Sequence, residues 1–190
     1  ACLNDWSGRH TLVHGAVTDE DLSTLSYVVP AGGNIGGVSV DKRAAKAANG
    51  AVVRTTRVDR EVGSDDKVLV MKVDVEGYEP QAVRSAERLF ANGQVRAIVL
   101  EFSPNKAELR KFGAMLEYLH GHGFHEMYEI DFMHPKEFSQ PLKKRRLDTS
   151  EPQWAHKFAS HIVNGGDSRR EGFTDLFMYH KNAHDDELWQ

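Results

Sequence analysis

Apolar and polar positions divide the chain into alternating strand-like and helix-like stretches. Residues 11–17 form a short β-rich apolar run that stops at the polar turn 18–21. Residues 22–29 read as a second strand, broken by Pro30 and the Gly-rich stretch 31–37, and residues 41–49 are an Ala/Lys run suited to a short helix or an ordered loop. Residues 51–58 alternate apolar and polar side chains from Val53 on, the pattern of a half-buried strand. Lys67 through Val75 is nearly continuous apolar β-former, which predicts a central strand covered on both faces. Pro80 then opens a helix, where its missing N–H costs nothing. Ala82, Val83, Ala86, Leu89 and Phe90 fall on one stripe of it, and Asn92 and Gly93 close it. Residues 95–102 make the next strand. A second helix carries Leu109, Phe112, Leu116 and Leu119 and ends at residues 121–123, before a strand over 124–130. Strand–helix–strand–helix–strand with short connections predicts an α/β fold with right-handed crossovers and a parallel sheet.

Beyond that the pattern weakens. Pro135, Pro141 and Pro152, a basic run at 143–146 and the small residues 164–166 predict a long surface excursion, an irregular insertion over 131–172. Residues 173–179 restore a strand pattern, and 182–190 read as a polar tail.

Composition narrows the class. With 190 residues, 40% hydrophobic and 27% charged, the chain suits one domain with a real core rather than a disordered segment. No apolar run approaches the roughly 20 residues of a membrane span. A net charge of −4, from 24 basic and 28 acidic residues, gives no general pull toward nucleic acid, so no such partner is expected. Cys2 stands alone and fits a reducing, cytoplasmic compartment. The first residue is Ala1, without a signal-like segment after it, so the expectation is a processed, trimmed or fragmentary chain whose targeting signal lies outside it.

In an open α/β sheet, ligands bind beyond the carboxyl ends of the strands. That rule selects Asp74 and Glu76 after the strand ending at Val75, Glu101 at the end of the next strand, and Asp19 after Val17. Carboxylates converging on one rim cost repulsion and desolvation, which points to use; residues of this kind also cap helices or stand solvated. The cluster His120, His122 and His125 spans a helix C-terminus, where the dipole favours His. It lacks acidic or Cys partners at ligand spacing, so no metal is expected there. Asp74, Glu76 and Glu101 have the oxygen ligands that Mg²⁺ takes, which leaves a metal-dependent transferase or hydrolase open. The basic run 143–146 reads as a localisation signal, an anion-binding patch or a solvated face.

The string Met71-Lys-Val-Asp-Val-Glu-Gly-Tyr-Glu-Pro80, with Ala82 to Ala86 and Ile98 to Phe102 after it, resembles the FkbM-type S-adenosylmethionine-dependent methyltransferases. In that family a K-I-D-V-E-G-x-E string ends the fourth strand of the sheet, and Lys72, Asp74, Glu76, Gly77 and Glu79 match it. His14 to Asp19 resembles the family's N-V-A-x-x-D segment, and Asn34 to Ser39 its small-residue segment before the fourth strand. The likeness runs from about Arg9 to Ile130 and, more loosely, through the last strand, giving a partial domain over 9–181. It implies a Rossmann-like class I methyltransferase sheet, mostly parallel, lacking its first strands here. The Gly-rich cofactor turn and the ribose-binding acid belong upstream of Thr11, and the stretch 32–37 does not replace them, because no acidic residue ends a strand before it. Such a chain is expected to be marginal or aggregation-prone alone.

The resemblance further implies S-adenosyl-L-methionine as cofactor and O-methylation of a small molecule or glycan. Asp74 or Glu76 would be the base, with Glu101 a second carboxylate facing the acceptor, and Ala16, Val17 and Asp19 would border the adenine. The rival is a non-catalytic interaction module that keeps the half-sheet without the cofactor site.

Overall fold

A computed structural model describes residues 8–20, 24–28, 39–40, 51–131, 143–164 and 174–185. The described strands form two sheets. In the first, β1 (Ala16–Val17), β2 (Thr24–Val28), β3 (Ser39–Val40) and β4 (Ala51–Thr56) lie in the order β1-β4-β2-β3. β1 runs parallel to β4, whereas β2 is antiparallel to both β3 and β4. A short helix α1 (Val58–Glu61) follows β4.

The second sheet holds β5 (Met71–Val73), β6 (Ala97–Phe102), β7 (Glu126–Asp131), β8 (Lys143–Arg146) and β9 (Thr174–Tyr179) in the order β5-β6-β9-β7-β8. Helices α2 (Glu79–Arg84) and α3 (Glu87–Ala91) connect β5 to its parallel neighbour β6. Helix α4 (Leu109–Gly121) leads from β6 to β7, and α5 (Trp154–Val163) lies between β8 and β9. β6 and β7 point the same way but do not touch, because β9 stands between them, antiparallel to each.

Side-chain alternation sorts the two faces of this sheet. Ile98, Leu100 and Phe102 of β6, Leu176 and Met178 of β9 and Met127 of β7 are buried, and they share one core with the apolar stripes of α2 to α5. Phe102 packs edge-on against Phe112 of α4 at 5.4 Å between ring centres, and Phe90 of α3 against Phe124 at 5.6 Å. Each such ring, wholly withdrawn from water, stabilises the fold by about 1.5–3 kcal/mol. The intervening residues Val99, Glu101, Asp175, Phe177 and Tyr179 are half-buried on the opposite face.

The stripes predicted for α2, α3 and α4 are buried except at Leu109, which is half-buried at the start of α4, and the strands over 95–102, 124–130 and 173–179 form. The helix after Pro80 is broken into α2 and α3 at Ser85, whose Oγ donates to the Ala82 carbonyl at 2.6 Å. Other expectations need correction. The sheets are mixed, not mostly parallel: a helical crossover makes neighbours parallel, but β9 returns into the interior of the sheet. The run Lys67 through Val75 is no doubly covered central strand. Only Met71–Val73 forms β5, at the sheet edge among the described residues, preceded by a parallel bridge between Val68 and Val95, and Leu69 and Val70 are more than half exposed. The run 11–17 yields only β1, with Leu12 and Val13 exposed. The stretch expected to be irregular contains β8, held by pairing with β7, and α5, whose Ala155, Phe158, Ala159 and Ile162 enter the core. The Gly-rich stretch 31–37 and the run 41–49 lie outside the described residues. Among the described residues no helix is long and apolar enough to cross a membrane.

Candidate functional site

The turn after β5 is built by its own sequence. Glu76 (φ 54°) and Gly77 (φ 91°) are both left-handed, which Gly accepts freely and Glu does not. Glu79, at the start of α2, compensates: its fully buried carboxyl accepts hydrogen bonds at Oε1 from the Val75 and Gly77 N–H groups, both at 3.1 Å. Its Oε2 has no hydrogen-bond partner among the described residues. The reversal this anchors fixes where Asp74 and Glu76 stand.

Register then joins β5 to β6. Val73 pairs with Leu100, so Asp74 stands beside Glu101, and Glu101 pairs directly with Asp175 of β9. Lys72, Asp74, Glu101 and Asp175 thus share the face of the sheet opposite the main core. Lys72 Nζ lies 2.5 Å from Asp74 Oδ2. Asp74 is held below the ordinary carboxylate range by a hydrogen bond with Glu101 and by Lys72. Glu101 is pushed up to about 7 by burial, by the hydrogen bond to Asp74 and by the charges of Asp74, Glu76 and Glu79. The pair therefore holds one proton near neutrality, on Glu101, with Asp74 as the anion.

The structure brings Asp74 and Glu101 together, with Glu76 near enough to act on Glu101. It places Ala16, Val17 and Asp19 in a separate arrangement. Ala16 and Val17 pair with Thr55 and Thr56, Val17 packs against the core, and Thr18 N–H donates to Thr56 O at 3.0 Å. The Asp19 carbonyl accepts from Arg57 Nη1 at 2.9 Å. Arg57 also forms a two-pronged pair with Asp59, both prongs 3.1 Å, and reaches the Arg84 carbonyl at 3.3 Å. Burial disfavours the Asp59 charge, yet the Arg57 hydrogen bond and charge prevail and hold the carboxyl low. Arg88 and the buried Gln94 complete this clamp by binding carbonyls of residues 59–66.

Two residues of this arrangement, Asp175 and Arg57, escape a reading of the sequence, and the anchoring role of a third, Glu79, escapes it too. Asp175 is one polar position in an alternating strand, and only its pairing with Glu101 makes it part of the rim. Arg57 and Glu79 act through the backbone of residues distant from them or in a tight turn; Glu79 is legible only as a match to the family string. Among the described residues no group of three or more His, Cys, Asp or Glu is disposed to hold a metal ion. The histidines pack instead as rings, His120 against His125 at 4.8 Å and against Trp154 at 5.6 Å.

Comparison with known proteins agrees with the motif at this turn. The FkbM methyltransferase domain model matches residues 1–126, which takes in β1 through the start of β7 and all of Asp74, Glu76, Glu79 and Glu101. Comparison with curated proteins and with solved structures gave no match. The family match covers most of the chain and includes the whole carboxylate rim: the chain belongs to the FkbM methyltransferase domain family.

Proposed function

We propose that this chain serves S-adenosyl-L-methionine-dependent O-methyl transfer to a hydroxyl of a small molecule or glycan, with the Asp74–Glu101 pair at the acceptor. The carrying observation is that pair: two hydrogen-bonded carboxyls at the carboxyl ends of adjacent parallel strands, one of them raised to about 7. The donor set suits the cofactor's charge, since Asp74, Glu101 and Asp175 all act on Lys72 and outnumber it at the rim, which leaves excess negative potential for a sulfonium. When bound, that cofactor supplies an already activated methyl group.

What the chain's own residues contribute is orientation and a proton acceptor. An acceptor hydroxyl placed on the rim gives its proton to the pair, whose value near neutrality suits a base that must both take and release it. A base so placed contributes about 10²- to 10⁴-fold, and alignment of the oxygen contributes about 7–11 kcal/mol. Ala16, Val17 and Asp19 belong, on this reading, to the adenine end, held in place by Arg57.

Calorimetric titration of S-adenosylmethionine and S-adenosylhomocysteine into the chain tests this, with circular dichroism on the same sample. The charged cofactor is expected to bind more tightly than its neutral product, and Asp74→Asn is expected to shrink that preference. A well-folded chain that binds neither ligand would favour a non-catalytic interaction module.

A further inference from the structure

A cavity of about 360 Å³ opens between β8 and α5. It lies on the helix side of the five-stranded sheet, away from the Asp74–Glu101 rim. Register fixes this: Glu101 pairs with Asp175 and Asp175 with Ile130, whereas the neighbouring Glu129 pairs with Arg145, and neighbours along a strand point to opposite faces. Every lining residue also falls beyond residue 126, outside the span the family model matches. The cavity is therefore a feature of this chain separate from the proposed methyl-transfer site.

Its lining sets rings beside mixed charge, with the carboxylates of Asp148 and Glu151 among the cations. Trp154 and Phe158, one turn apart on α5, supply apolar wall, and both are fixed from behind. Phe158 rests on Phe102 of the core at 5.4 Å, and Trp154 on His120 at 5.6 Å. Arg145 and Lys157 bring positive charge to the same space, whereas Arg146, the strand neighbour of Arg145, turns its side chain to the other face. The Lys157 pairing is of a kind an incoming anion can exchange, and the Arg145 guanidinium keeps an exposed side. Lys157 meets Glu151 at 2.8 Å with both side chains 58% exposed, and Arg145 meets Glu129 at 2.7 Å while itself nearly half exposed. The Lys157–Glu151 pair, open on both sides, contributes about 0–1 kcal/mol, whereas Arg145 is held more firmly, giving two N–H groups to a Glu129 carboxylate that is only 11% exposed. A phosphate monoester, with nearly two negative charges and three acceptor oxygens, competes well with one carboxylate for these donors. Gln153, immediately before α5, is left-handed at φ 59°, and α5 has no side-chain cap; strained backbone of this kind concentrates at ligand sites. The volume suits a small organic ligand.

We infer that this cavity binds a small ring-bearing phosphate ester, its ring against Trp154 and Phe158 and its phosphate held by Arg145 and Lys157. The inference does not depend on the methyl-transfer reading, and its test uses no cofactor.

Phenyl phosphate is the probe, because it lacks adenine and so does not report on a nucleoside site. Titrated into the 190-residue chain, it is expected to change tryptophan fluorescence saturably, and the change is expected to vanish in Trp154→Phe while Trp6 and Trp189 remain. Lys157→Ala is expected to weaken binding about tenfold, with Lys157→Arg restoring most of it. Inorganic phosphate and benzyl alcohol, each with half of the ligand's chemistry, are expected to bind at least tenfold more weakly. A circular dichroism melt of each variant confirms that the fold is intact. The proposal is overturned by a flat titration, by a signal that persists in Trp154→Phe, by equal affinity in Lys157→Ala, or by inorganic phosphate binding as tightly as phenyl phosphate.

Discussion

Asp74 and Glu101 share a proton across the β5–β6 boundary, the first held low and the second raised to about 7 by its neighbour and by burial. Neither residue alone would titrate in this way, since an exposed carboxyl of either type ionises well below neutrality.

A first consequence concerns rate. If the ionised pair accepts the hydroxyl proton, methyl transfer rises with pH through an apparent value near 7. Asp74→Asn removes the anion that opposes ionisation of Glu101, so the acidic limb is expected to move to lower pH. A pH–rate profile of kcat/KM for both proteins measures this. An unmoved limb would mean that some other group sets it.

The same raised value affects stability with a definite sign. Folded Glu101 keeps its proton up to about 7, whereas the unfolded chain releases it near the ordinary value of 4.5. Between these limits the native state binds more protons, so the contribution of Glu101 to stability falls as pH rises. Buried His180 and half-buried His120, held below their ordinary 6.5 chiefly by desolvation, act oppositely: acidification below 6.5 charges them more readily in the unfolded chain. The difference between the chain and Glu101→Gln isolates the carboxyl. In urea titrations across pH 4.5 to 7, the Gln variant is expected to gain steadily on the parent.

Glu79 is expected to matter through the backbone. Glu79→Ala strips the Val75 and Gly77 N–H groups of their acceptor and empties a fully buried site, at about 2–4 kcal/mol. Glu79→Gln keeps an acceptor oxygen and is expected to recover part of that loss. Urea unfolding midpoints measure both.

Two glycines three positions or fewer apart should respond with opposite signs. Gly123 has φ 98°, and a Cβ there would lie 2.7 Å from His180 Nε2, so Gly123→Ala is expected to cost about 2 kcal/mol. Gly121 ends α4 with open space around it, so Gly121→Ala is expected to gain up to about 1 kcal/mol. Thermal melts of the two variants should bracket the parent.

The elements read correctly from the sequence are those whose signal is local and repeated. The stripe Phe112, Leu116 and Leu119 has helical spacing, and alternation in residues 173–179 survives as β9. Strand order is not local. Continuous apolar character in Lys67 through Val75 reads as a covered interior strand, yet Leu69 and Val70 meet solvent before β5 begins, and β5 is an edge strand among the described residues. The stretch around Pro152 looked irregular because its prolines and charges outweigh the four buried positions of α5 in any local window. For the site, the string around Asp74 was explicit in the sequence. The company Asp74 keeps, Glu101 beside it and Asp175 beyond, depends on pairings with segments 27 and 101 residues further along the chain.

The position of β9 has a temporal meaning for a chain made from one end. β6 and β7 have no ladder with each other; each is completed by residues 174–179, which are nearly the last of the described chain to be synthesised. Until they emerge from the ribosome, the chain holds two unfinished pairs, β5 with β6 and β7 with β8, each exposing an open edge. The sheet is therefore closed from its middle by a late arrival, and the Glu101–Asp175 contact is among the last to form. A nascent chain arrested before Thr174 would leave a chaperone two sticky half-sheets rather than one domain.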